Sequence, residues 1–142
     1  VYTFAGSVGV DQVFGTFELP PEYEDGSDLK IHTHWAQEDA TASEVVVFAI
    51  DWSYTDPNNG EDIGGTPTTT VMTDTTFAAV EEHLKTDNVT ITAGAWVKEG
   101  VINFRFYRNF NHGSETHDEP VHVMSFDVEF VIDKPHGADS RW

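Results

Sequence analysis

The segment from residue 44 to 54 constrains the fold most. Val46, Phe48, Ile50, Trp52 and Tyr54 recur there at every second position. Successive side chains of an extended strand point to opposite faces, so this spacing loads one face of one strand with large apolar groups. Such a face must be covered by a second apolar layer. Other segments carry the same period. Val13, Phe14, Phe17 and Leu19 mark an early strand, and 29–35 alternates next. Residues 66–76 are rich in Thr and predict an exposed strand and loop. Residues 89–97 place Val, Ile, Ala, Ala and Val on one face. Ile102, Phe104 and Phe106 share a face, and 121–132 sets Met124, Phe126, Val128 and Phe130 together. β-Branched and aromatic residues at period two fit half-buried strands.

Turn residues separate these runs. Pro20-Pro21-Glu22-Tyr23-Glu24-Asp25-Gly26 cannot continue a central strand. Asp56-Pro57-Asn58-Asn59-Gly60 is a second turn, followed by Gly64-Gly65, and Lys98-Glu99-Gly100 predicts a tight hairpin. Residues 109–120 form a polar loop that carries His and Gly. Only Phe77, Val80, Glu81 and Leu84 have helical spacing, for about two turns at most. The expected architecture is all-β: an antiparallel β-sandwich of jelly-roll type with one short helix. A chain of 142 residues suits a single domain, 1–142, flanked by short arms at about 1–10 and 136–142. No basic stretch precedes an apolar one at the start, and no apolar run is long enough to cross a membrane as a helix.

Charge excludes several classes of partner. Asp and Glu number 25 against 7 Lys and Arg, for a net charge of −18. Nucleic-acid phosphates and anionic membrane surfaces call for a basic patch, so neither is an expected partner. A chain this acidic repels itself at low salt and gains from screening. A saline environment, divalent cations bridging carboxylates, and a merely soluble acidic surface all fit that balance. Cys is absent, which excludes disulfides, thiolate metal sites and a Cys nucleophile.

Two His-bearing segments are candidates for chemistry. His32 and His34 stand two apart in a strand, so both imidazoles point to one face, opposite Leu29, Ile31, Thr33 and Trp35. They can share a metal ion if a neighbouring strand brings a third ligand. A His-x-His pair alone is a weak metal signal, and hydrogen-bonded strand histidines at a subunit contact are the simpler reading. The second segment holds His112, His117 and His122 with Glu115, Asp118 and Glu119, which could hold a divalent ion or form a solvated acidic loop. His122 falls on the expected face of Met124 and Phe126 and reads as a core or interface histidine. Asp127 and Glu129 share a face with Val123 and Val131, and Arg105 is their expected ion-pair partner. No nucleophile elbow, no His-Glu-x-x-His and no phosphate-cradling loop is present, so no catalytic residue and no cofactor is expected. Trp52 reads as core. Trp96 lies opposite the apolar 89–97 face, where it covers a second surface or stacks on a sugar. Trp142 is placed to dock on a partner.

The order of segments resembles a family. Phe14-Gly15-Thr16-Phe17-Glu18-Leu19-Pro20 runs into Pro21-Glu22-Tyr23-Glu24-Asp25-Gly26-Ser27-Asp28-Leu29, then Lys30-Ile31-His32-Thr33-His34-Trp35. Phe104-Arg105-Phe106-Tyr107-Arg108 and Met124-Ser125-Phe126-Asp127-Val128-Glu129-Phe130 follow, and His136-Gly137-Ala138-Asp139-Ser140-Arg141 ends the series. This is similar to small tailed-bacteriophage virion structural proteins with a jelly-roll-like β domain. The tail departs, because Ala138-Asp139 separates the Gly from the Ser-Arg pair. The resemblance implies a trimeric capsid decoration or cement protein that stabilises the head, located in the virion and bound to the major capsid protein or other virion proteins. The alternative is a trimeric head-fibre or spike-tip domain that binds host surface glycans. No catalytic residues carry over. The expected contact between copies includes His32, His34 and Trp35, with Phe4 and Val8 of the first arm and Trp142 at the end. A glycan-binding head predicts an aromatic pocket near Trp96 or the 112–119 loop. A cement protein predicts ordered arms.

Overall fold

The computed structural model describes residues 2–5, 11–58 and 66–133. Val8, Trp142 and the 136–142 arm lie outside the described residues. Among the described residues nine strands follow in order: β1 Tyr2–Phe4, β2 Gln12–Glu18, β3 Leu29–Gln37, β4 Val45–Thr55, β5 Thr68–Thr75, β6 Leu84–Lys85, β7 Val89–Ile91, β8 Val101–Arg108 and β9 Val121–Glu129. They form two sheets. One runs β1-β9-β3-β6, with β7 also on β3, and the other runs β2-β8-β4-β5. Each pairing is antiparallel. The result is an all-β sandwich. Tyr2–Phe4, expected in the N-terminal arm, is a strand of the first sheet, because its backbone pairs with Val121–Val123.

The alternating faces meet between the sheets. Val46, Phe48 and Ile50 of β4 are buried, and Trp52 and Tyr54 pack against them. Leu29, Ile31, Thr33 and Trp35 of β3 face them and are fully buried. Aromatic pairs bridge the layers: Trp35 meets Phe48 edge-on at 5.8 Å, Phe4 meets Phe106 at 5.8 Å, and Phe126 lies 5.2 Å from Phe106. Such offset and edge-on contacts add to the area that the rings bury. The Trp35 indole N–H donates across the sandwich to Asp74 at 2.9 Å, which satisfies a donor that burial would otherwise strand. Trp35 and Phe4, expected at a contact between copies, are therefore core residues. Trp96 is core as well. It stacks on Tyr54 at 5.0 Å and meets Trp52 edge-on, so it is not open to a sugar.

Two period-two expectations change in three dimensions. In β9, pairing with β3 shifts between His34 and Trp35 from Ser125 to Val123, which makes Met124 an extra residue. A bulge of this kind reverses the side-chain phase along a strand. Val121 and Val123 are core before it, and Phe126 and Val128 pack on the core after it. Met124 is exposed, and His122 faces outward, where it bonds the Thr3 hydroxyl. The turn at Lys98-Glu99-Gly100 does not close a hairpin, since β7 belongs to one sheet and β8 to the other. It is a corner between layers. Glu99 adopts a positive φ of 65°, and Gly100 lies under the Tyr54 ring with no room for a Cβ.

No helix forms among the described residues. Gln37 gives the reason at 77–84. A helix there would join the Glu81 N–H to the Phe77 carbonyl. Instead the Glu81 N–H donates to the Gln37 carbonyl at 3.0 Å, and the Phe77 carbonyl accepts from Gln37 Nε2 at 2.6 Å. Gln37 Oε1 also accepts the Phe77 N–H at 2.7 Å, and Glu81 sits at φ 57°. The fully buried Gln37 thus holds both helix partners apart, the Phe77 carbonyl with its side chain and the Glu81 N–H with its own carbonyl.

Candidate functional site

The outer face of the first sheet gathers the histidines. His32 and His34 alternate out of β3, and register places Asp127 of β9 directly opposite His32. His32 Nε2, His34 Nε2 and Asp127 Oδ2 form a near-equilateral triangle, with sides of 3.1 Å between the imidazoles and 3.3 Å from each to the carboxylate. Two further groups stand behind them. His32 Nδ1 lies 3.4 Å from Glu129 Oε1, and His34 Nδ1 lies 2.6 Å from His83 Nε2. Asn88 reaches the Glu129 carboxylate from the far side. His32 is buried, with 5% of its surface exposed, whereas Asp127 is open enough to admit solvent.

The sequence marked His32 and His34 as sharing a face but missed Asp127, Glu129 and His83. Asp127 and Glu129 were expected beside Arg105. That ion pair does not form, because β8 and β9 lie in different sheets. Arg105 pairs with Asp51 of the neighbouring strand β4, within its own sheet. The available signal for Asp127 was its period-two spacing from Glu129 on a strand, which matches the spacing of the histidines.

The 109–120 loop is tied down by a buried polar lock. The Arg108 guanidinium donates to Glu115 at 2.8 Å, and both side chains are 2% exposed. Arg108 also donates to the carbonyls of Glu119 at 2.6 Å and of His117. Glu115 accepts the Val47 N–H at 2.6 Å. His117 is fully buried, with its Nδ1 2.8 Å from Glu44 Oε2. Glu115 and His117, two of the ligand-type side chains of this loop, are spent on holding it in place.

A groove crosses the outer face of the second sheet. It has a volume of ≈ 710 Å³ and is lined in part by Phe14, Thr16, Asp51, Asn103 and Arg105. Phe14 is 68% exposed at its rim. Burial by itself would raise the Asp51 carboxyl, but hydrogen bonds from Thr69 and Arg105 and the guanidinium charge hold it below the ordinary carboxylate range. Burial pushes the Tyr107 phenol up, and the nearby Asp51 charge adds to that. A second cleft, ≈ 300 Å³, opens beside β2 and β9 over Phe17, Phe104, Phe126, Val128 and Phe130.

No family model matches the sequence, and no curated protein does either. Among solved structures, the chain is similar to the carbohydrate-binding module TmCBM61, determined in complex with β-1,4-galactotriose. Identity is 13% and the TM-score 0.39, over 84% of this chain and 62% of that one, so the chain spans less than two thirds of that module's length.

Proposed function

We propose that this chain is a structural protein of a bacteriophage virion: a trimeric capsid decoration or cement protein with a jelly-roll fold. The strand order supports the jelly-roll reading. The chain crosses between the sheets at each step except β4 to β5 and β6 to β7, and this places β1-β9-β3-β6 over β2-β8-β4-β5. A double Greek key, as in the jelly rolls of capsid and lectin domains, would wind in this way.

The observation that carries the assembly reading is the open side of the sandwich. Among the described residues β2 is an edge strand, and β1 covers β9 only at Val121–Val123. The cleft between them exposes Phe130, and Met124, Val131 and Ile132 stand exposed nearby in sequence. Unpaired edges flanking an apolar cleft invite another chain, and copies related by symmetry bury such a face reciprocally or in a closed ring. Acidity sets the condition, since copies at −18 each repel until salt screens them. The test is native mass by light scattering after size exclusion, at low and near-molar salt. A species near three times 15.8 kDa, lost in Phe130→Asp, is expected. A monomer at both salts refutes the trimer.

A second reading, a head-fibre or spike-tip domain binding host glycans, is favoured by the groove in the second sheet. Exposed Phe14 offers a ring face there, beside the hydrogen-bonding groups of Asn103, Thr16 and Arg105. Glycan-array binding that disappears in Phe14→Ala would move the assignment to this reading. No glycan binding by the wild type removes it.

A further inference from the structure

We infer that His32, His34 and Asp127 form a binding site for one divalent transition-metal ion of the zinc class. The inference is independent of the virion reading. The corner atoms are two imidazole nitrogens and one carboxylate oxygen, a donor set that suits zinc and its first-row neighbours better than calcium or magnesium. The size of the triangle fits as well. An ion about 2.1 Å from each corner would see angles of about 100° between ligands, between octahedral and tetrahedral values, and would sit about 1 Å out of the ligand plane. Asp127 opens to solvent, so a fourth position is left for water.

Proton placement points the same way. Three inward atoms crowd within 3.3 Å of one another. A ligating imidazole must offer a lone pair inward and keep its proton on the other nitrogen, where an acceptor fixes it. His34 Nδ1 has that outer acceptor in His83 Nε2, and on the outer side of His32 the Glu129 carboxylate stands 3.4 Å from Nδ1. One tautomer assignment therefore turns both imidazole lone pairs toward Asp127. Without a cation, that arrangement sets two lone pairs against a carboxylate oxygen. With a cation, all three are satisfied. The Glu129 contact lacks good hydrogen-bond geometry, and His32 Nδ1 is otherwise without a hydrogen-bond partner, so the ring is held in place chiefly by packing and charge.

The test is cobalt titration of the full chain after dialysis against chelator, in near-molar NaCl to suppress loose binding by surface carboxylates. Co²⁺ bound by two imidazoles and a carboxylate with low coordination number gives intense visible bands, whereas octahedral Co²⁺ on surface carboxylates gives weak ones. One equivalent per chain is expected, displaced by Zn²⁺ and not by Mg²⁺. At one hundred times Kd, Zn²⁺ should raise the thermal midpoint by about 8 °C. Asp127→Asn, nearly isosteric and partly exposed, should abolish the bands, as should His34→Ala. Glu129→Gln should weaken binding by about 10–100-fold. His122→Ala, on the same sheet but outside the triangle, should bind as the wild type does. Absence of intense bands in the wild type overturns the inference, and so do unchanged bands and stoichiometry in Asp127→Asn and His34→Ala.

Discussion

Replacing Glu115 with Ala probes the buried lock on the 109–120 loop. The wild-type pair is 2.8 Å apart with both side chains 2% exposed, so water does not take the place of the lost carboxylate. Two groups are left behind. The Arg108 guanidinium keeps the carbonyls of Glu119 and His117 but loses its counter-charge. The Val47 N–H loses its 2.6 Å acceptor. Breaking one half of a buried ion pair costs about 3–5 kcal/mol, and a stranded buried N–H about 1–3 kcal/mol more. The two overlap, so a total of about 4–5 kcal/mol is expected, a large share of the roughly 5–15 kcal/mol that holds a typical domain. With a urea slope near 2 kcal/mol/M, the denaturation midpoint should fall by about 2 M. The double variant Arg108→Met with Glu115→Leu separates charge from packing. Removing both charges relieves the unpaired guanidinium, but the carbonyls of Glu119 and His117 and the Val47 N–H still lose partners. The double variant should therefore be more stable than Glu115→Ala alone yet below the wild type. A loss under about 1 kcal/mol for Glu115→Ala would refute the dry lock and imply that solvent reaches the pair.

Other perturbations test other parts of the structure. Gln37→Leu keeps the buried volume but strands the Phe77 N–H and carbonyl, and should cost about 2–4 kcal/mol in urea melts; a neutral result would mean that 77–84 is held by something else. Gly15→Ala would place a Cβ 2.4 Å from the Phe104 ring tip and push that ring against Phe126, for a loss of about 1–2 kcal/mol read as a lower thermal midpoint. Asp51 has a folded pKa below its unfolded 3.8, so its contribution is present above that value and is lost as pH falls through the folded one. Asp51→Asn should therefore flatten the stability profile below about pH 4 while lowering the plateau above it, and a profile parallel to the wild type would contradict this.

The sequence alone determined which side chains could share a face. Val46, Phe48 and Ile50, or Leu29, Ile31 and Trp35, follow the fixed period of an extended chain, and no partner is needed to read it. The same rule put His32 and His34 together. It failed where a long-range contact altered the local pattern. Met124 shifted the phase of β9, which exposed it and turned Phe126 and Val128 to the core, because a bulge arises from pairing with β3. Gln37 cancelled a helix 40 residues away by taking the Phe77 carbonyl with its side chain and the Glu81 N–H with its own carbonyl. Arg105 found Asp51 and not Asp127, because sheet membership is set by how the chain winds between layers. The third corner of the histidine triangle has the same origin. Asp127 meets His32 through register across two strands some ninety residues apart, and only the folded sandwich fixes that register, by matching the buried faces of β3 and β9.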